Sequence, residues 1–267
     1  MTETSDPDDP SGLPDAWLQQ LVDALDAPGV VGVALGGSFA RGDATALSDL
    51  DLAPFYGDGV TLPYKRLFYS EGRLVSVSPK SVTAWQAQMR RPESAIYLVS
   101  SATQLRILRD HDGVLAALVT GARAFEWQPL QAAADRFASD LLLLEAEHAQ
   151  KLLAALLAGD ESSLCRALDG LLHALPWLVA TQRGMLVTSG NTFFAQVQQA
   201  TGPESAWART LRAALGIGAP SSLRARGEAT LRLYAETARL LGDALRPDDA
   251  TTIHAFIALA AKHGYPA

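Results

Sequence analysis

Val30-Val31-Gly32-Val33-Ala34-Leu35-Gly36-Gly37-Ser38-Phe39-Ala40-Arg41-Gly42, followed shortly by Ser48-Asp49-Leu50-Asp51-Leu52, decides how this chain folds. Val30 to Leu35 is a short apolar run rich in valine, bounded by Pro28-Gly29 before it and by Gly36-Gly37 after it, so it reads as a buried strand. The two glycines let the chain turn tightly and bring backbone close to a ligand that a side chain would keep away. From Ser38 the sequence opens a short helix. Its free N–H groups, the Ser38 hydroxyl and the Arg41 guanidinium are then placed to face a triphosphate. Asp49 and Asp51 fall in the next apolar segment, where alternate residues share a face, so both carboxylates point the same way. Two hard oxygen ligands on one face suit Mg²⁺, which takes one or two carboxylates and completes its shell with phosphate and water.

Working outward from that stretch, 267 residues hold one large domain or two ordinary ones. The apolar runs, Leu141 to Leu144 among the longest, are too short to span a bilayer, and no membrane association is expected. The polar, acidic stretch from Thr2 to Gly12 has no apolar signal core and reads as a disordered tail. Cys165 is the only cysteine, which removes intrachain disulfides and cysteine metal sites and agrees with a reducing cytoplasm. Acids outnumber bases by 16 to 10 as far as Pro129 and by 13 to 12 beyond it, within a net charge of −7. A protein that grips long nucleic acid needs a basic stripe, and neither half has one. The expected partner is a small-molecule acceptor, neutral or cationic given the acidic balance.

The pattern gives an α+β fold. Residues 13–128 read as a small mixed-sheet domain, 129–267 as an all-α helical bundle, and 1–12 as the tail. Trp17, Leu18, Leu21, Val22 and Leu25 mark an amphipathic helix over Pro14 to Ala27. Strands are predicted at Val30–Leu35, Asp49–Pro54, Tyr64–Ser70, Arg73–Val77 and Leu105–Leu108, with a helix near Val82–Arg90. From Leu130 the chain is Ala/Leu/Arg-rich and reads as five or six helices. Breaks are expected at Gly159-Asp160, Gly184 to Gly190, Gly202-Pro203, Gly216 to Pro220 and Arg246-Pro247. On the long first helix, Phe137, Leu141, Glu145, His148 and Leu152 share a side, which partly buries Glu145. Glu147 and Lys151, four apart, read by themselves as a solvated ion pair. His173 reads as a hydrogen-bonded structural histidine, Trp177 and Trp207 as core or interface aromatics, and Cys165 as a small buried hydrophobe.

The glycine turn with its Ser and Arg, followed by Ser48-Asp49-Leu50-Asp51-Leu52, resembles the nucleotidyltransferase superfamily, the DNA polymerase β-like group. With the helical half added, the whole chain is similar to the kanamycin nucleotidyltransferase family. Glu147-His148-Ala149-Gln150-Lys151 matches that family's base-and-lysine motif, and Arg183 to Ser189 its arginine and Thr-Ser turn. Asp110-His111-Asp112-Gly113 matches the end of a catalytic-domain strand. The resemblance implies a homodimeric transferase that moves a nucleoside monophosphate from a nucleoside triphosphate, ATP in the first instance, to a hydroxyl of a small molecule. It implies Mg²⁺ on Asp49 and Asp51, nucleotide contacts from Gly37, Ser38, Arg41, Ser48 and Lys151, and Glu147 as general base.

Two positions depart from the family pattern. Ser76 stands where the third carboxylate is expected, on the strand read as Arg73–Val77, so the metal rests on Asp49 and Asp51 alone. Leu143-Leu144 stands where an acidic pair precedes the base and helps bind a cationic aminoglycoside, which turns the expectation toward a neutral or less charged acceptor. Two alternatives remain open at this point: a nucleotide-binding regulatory protein without turnover, favoured by Ser76, and an antitoxin-type enzyme that modifies a protein.

Overall fold

The computed structural model describes residues 13–218 and 221–265, so the expected tail lies outside the described residues. The chain divides into two compact units, the first ending at Glu126 and the second beginning at Trp127. In the first, helix α1 (Asp15–Leu25) buries Trp17, Leu18, Val22 and Leu25, and Asp15 sits in its first turn, where a negative charge suits the helix dipole. Strand β1 (Val30–Leu35) and β2 (Leu50–Tyr56) pair antiparallel and are buried along nearly their whole length. Between them lies the single-turn helix α2 (Gly37–Arg41), pinned by buried Phe39. Strands β3 (Arg66–Ser70) and β4 (Arg73–Val77) form a hairpin. Its turn has positive φ at both Glu71 (49°) and Gly72 (72°), the geometry whose twist matches paired strands.

Strand β4 pairs parallel with β2, which makes the sheet mixed, and the short β5 (Lys80–Ser81) pairs parallel further along β2. Helix α3 (Val82–Gln88) follows at once, capped by the Ser81 hydroxyl accepting from the Ala84 N–H. Helix α4 (Pro92–Thr103), strand β6 (Arg106–Asp110) and helix α5 (Val114–Arg123) complete the unit. The main strand order is β3-β4-β2-β1-β6. Helix α5 packs closely on β1: a Cβ at Gly32 would lie 2.7 Å from the Leu115 side chain. At one edge Arg109 of β6 bridges Asp23 and Asp26, and His111 reaches Asp26 at 2.9 Å. The His111 and Arg109 hydrogen bonds lower the Asp26 pKa, and Arg109 lowers that of Asp23. Such a contribution is present above the unfolded carboxylate pKa and is lost as pH falls through the folded value. Arg109→Met is therefore expected to melt slightly below wild type near neutral pH, with the gap closing under acid conditions. A thermal melt series from pH 7 to pH 3 checks this.

The second unit is α-helical, running through α6 (Gln131–Ala158), α7 (Glu161–Gln182), α8 (Phe193–Thr201), α9 (Ala206–Leu215), α10 (Leu223–Leu241) and α11 (Pro247–Lys262). Helix α6 ends at Gly159 in the left-handed region, and Asp160 caps α7 by accepting from the Ser162 and Ser163 N–H groups. Helix α10 approaches closely because Gly227 leaves room for Leu164 and Leu156; a Cβ there would lie 2.7 Å from Leu164. Tyr234 is wholly buried and donates to the Leu142 carbonyl, and Trp207 donates to Thr237. Among the described residues no helix is long and apolar enough to cross a membrane.

Several sequence-based expectations are corrected. Helices α4 and α5 and strand β5 were not anticipated. Strand β2 begins at Leu50, so Asp49 lies just before it rather than in it. Cys165 is exposed, because α7 turns Leu164, Ala167 and Leu168 inward and leaves position 165 on the outer face. His173 is also exposed and has no side-chain hydrogen bond among the described residues, since Leu171, Leu172, Ala174 and Leu175 take the buried positions around it.

Candidate active site

The turn after β1 is built around Asp51. The Gly36 N–H donates to the Asp51 carbonyl at 2.8 Å, which joins the end of β1 to the start of β2. Gly37 has φ +64°, and a Cβ there would lie 2.3 Å from Asp51 Oδ2. Glycine is thus required twice, by the backbone conformation and by the carboxylate pressed against it. Strand β4 runs parallel beside β2 with Ser76 in register with Asp51. The buried Ser76 hydroxyl hydrogen-bonds the Asp51 carboxylate.

Burial raises the pKa of Asp51, the neighbouring Asp49 charge raises it further, and Ser76, Lys65 and Arg41 partly offset both. Two carboxylates that repel each other in a half-buried place are a donor set that a small divalent cation would relieve. The residues therefore fit Mg²⁺ on Asp49 and Asp51. No group of three or more His, Cys, Asp or Glu that could hold a metal occurs among the described residues, in keeping with a serine at position 76.

The other sequence-predicted residues of this unit are placed as follows. Ser38 lies half-buried in the single turn of α2. Arg41 is near enough to act on Asp51 but is engaged with Asp43, Nη2 to Oδ1 at 3.0 Å. The Ser48 hydroxyl accepts from the Thr45 N–H at 2.8 Å, so it shapes the loop that delivers Asp49. Sequence reasoning missed two cations, Lys65 and Lys80. Lys80 is half-buried with its ammonium 5.7 Å from the centre of the Trp85 ring. Burial first and Lys65 second lower its pKa, while Asp51 opposes them. A lysine just past the Ser78-Pro79 break after an apolar strand, five residues before a tryptophan, is a weak local signal.

In the helical unit, Glu147 and Lys151 form the expected pair at 2.6 Å on an exposed face of α6. The Lys151 hydrogen bond and charge hold the Glu147 carboxyl below its ordinary pKa. Two residues before Glu147, Glu145 is buried, and its Oε2 is 2.9 Å from His148 Nδ1 one turn on. Leu144 is exposed and Leu143 half-buried.

Residues 18–85 match the family model described as the nucleotidyltransferase domain, a span that takes in the glycine turn, Asp49, Asp51, Ser76 and Lys80. The crystal structure of a nucleotidyltransferase-like protein from Exiguobacterium sibiricum 255-15 has a similar fold. The two superpose with a TM-score of 0.50 at 14% sequence identity, covering 93% of this chain and 91% of that one. No curated protein matches the chain.

Proposed function

We propose that this protein is a Mg²⁺-dependent nucleotidyltransferase that moves a nucleoside monophosphate from a nucleoside triphosphate, ATP in the first instance, to a hydroxyl of a small molecule. The observation that carries the reading is the Asp49–Asp51 pair held against the Gly37 turn, within the span that matches the nucleotidyltransferase domain. Bound at Asp49 and Asp51, Mg²⁺ would orient the phosphates and offset their charge. Gly37 and Ser38 hold phosphate oxygens, and Arg41 exchanges Asp43 for them. Lys151 exchanges Glu147 for the triphosphate, which frees the Glu147 carboxylate to take a proton. The acceptor oxygen bonds to the α-phosphorus as the bond to the β-phosphate oxygen breaks; pyrophosphate leaves with that electron pair, and the hydroxyl proton passes to Glu147. A homodimer is proposed from the family resemblance alone, as is a cytoplasmic setting from the single cysteine.

Glu147→Gln is expected to lower turnover by roughly 10²–10⁴-fold, the range for a general base, with ATP affinity little changed. Lys151→Ala is expected to weaken ATP binding instead. Steady-state kinetics with equilibrium titration separates the two, and equal small effects would return the pair to a surface ion pair. Ser76 in place of a third carboxylate favours one second reading, a nucleotide-binding regulatory protein. Titration with ATP and Mg²⁺ followed by pyrophosphate-release assays over an acceptor panel distinguishes them: binding with release supports the transferase, binding without release the regulator.

A further inference from the structure

Between α6 and α7, beside their Gly159-Asp160 turn, lies a cavity of about 610 Å³, a size that suits a small organic ligand. Its apolar wall is made of alanines, Ala154, Ala155 and Ala167 among them, and its polar wall combines two cationic side chains and a histidine with Asp160, Ser162 and Ser163. Lys151 and Arg166 both line it, and so does His148. Asp160 is the one carboxylate in the lining, and its oxygens are already occupied by the Ser162 and Ser163 N–H groups and the Ser163 hydroxyl. Among the described residues the Arg166 guanidinium has no hydrogen-bond or ion-pair partner. His148 is fixed through Nδ1 by the buried Glu145 carboxylate, which leaves Nε2 for a ligand. Arg166, exposed and without a protein partner among the described residues, and His148 Nε2 are the groups of this lining left open to an anion, and a guanidinium binds phosphate or carboxylate oxygens through a planar fork.

Lys151 lines this cavity and also binds Glu147, so the cavity opens beside the proposed proton acceptor. We infer that the cavity is the acceptor site and that the acceptor is a small hydroxyl compound carrying a phosphate or carboxylate group, anchored at Arg166. This rests on the transferase reading above and deepens it. With its anion on Arg166 and His148, the acceptor is held at one end, and its free hydroxyl lies toward Glu147. Attack of that hydroxyl on the α-phosphorus of the nucleoside triphosphate makes the new P–O bond, sends the proton to Glu147 and releases pyrophosphate. The same charges disfavour a polycationic sugar, in keeping with the leucines at 143 and 144.

The test uses the full chain and matched probes: glycerol 3-phosphate against glycerol, ribose 5-phosphate against ribose, and kanamycin. Calorimetric titration is expected to show binding of the phosphorylated probes alone. Arg166→Ala is expected to weaken that binding tenfold or more, Arg166→Lys to restore part of it, and neither to change ATP affinity by more than about twofold. Saturating Mg²⁺ and ATP should leave probe binding in place. Displacement of the probe by ATP would assign the cavity to the nucleotide's own phosphates and overturn the proposal. No binding of either phosphorylated probe, or equal binding of the neutral and cationic ones, would overturn it too. Titration of Mg²⁺ and ATP against wild type and Asp51→Asn stands apart from these arms. Metal-dependent ATP binding that survives a negative probe result leaves the transferase reading intact while the acceptor assignment falls.

Discussion

Asp51→Asn is expected to retain the fold and to lose metal-dependent nucleotidyl transfer by at least roughly 10²–10³-fold, the range for removing one electrostatic contact at a reacting centre. The two parts of that result share one cause. Burial and the Asp49 charge raise the folded pKa of Asp51 above its unfolded value. A raised carboxyl contributes stability below its unfolded pKa and loses that contribution as pH rises through the folded value, so at pH 7 the ionised group is a net cost to the apoprotein. Asparagine keeps the shape and removes the charge. Thermal melts without metal should therefore show the variant melting at or above the wild-type temperature. Added Mg²⁺ should stabilise the wild type and leave the variant unchanged. A variant that melts well below wild type, or one that keeps wild-type turnover, would show that Asp51 is structural and not a metal ligand.

Gly37→Ala is the second large expected effect, and it acts on the same carboxylate from the other side. Alanine at φ +64° costs about 1–2 kcal/mol for the left-handed conformation alone. Its Cβ would also stand 2.3 Å from Asp51 Oδ2, a contact that must be relieved by moving the carboxylate or the turn. Gly42→Ala is the control, since Gly42 has φ +80° and a Cβ there would meet nothing within 4 Å. Chemical denaturation should show both variants destabilised. Loss of ATP affinity and of transfer should follow Gly37→Ala alone. If the two variants lose activity equally, the turn matters only for its backbone and not for its contact with Asp51.

The glycine turn and the carboxylate pair were legible because their chemistry is local: glycines, a helix start and alternate aspartates lie within one short stretch. The helix breaks of the second unit were legible for a similar reason: Gly159-Asp160, Gly184 to Gly190 and Gly202-Pro203 fall between observed α-helices, and Arg246-Pro247 starts α11. Helix α4 was hidden by its own start. The predicted helix stops near Arg90, and Pro92, two residues on, occupies the first turn of α4, where its missing N–H costs nothing. Helix α5 is short and follows Gly113 in the left-handed region, so a loop and a helix start looked alike. The cations around Asp51 were out of reach for a different reason. Lys65 precedes β3, and Lys80 lies on β5 against β2, so only the strand order brings their charges to bear on Asp51. The Glu145–His148 contact was half legible: the helical wheel put both on one side, and packing then buried the carboxylate.

The nucleotidyltransferase match spans residues 18–85, within the sheet unit, and the central claim is that Asp49 and Asp51 there direct nucleotidyl transfer at the α-phosphorus. ATP labelled on the α-phosphate and ATP labelled on the γ-phosphate, each incubated with the full chain, Mg²⁺ and a small-molecule extract as the acceptor source, test it most directly. The account predicts that α-label appears on an acceptor, that γ-label leaves only as pyrophosphate, and that both events vanish in Asp49→Asn and Asp51→Asn. Transfer of the γ-label to an acceptor, or ATP that binds and is never cleaved, would contradict it.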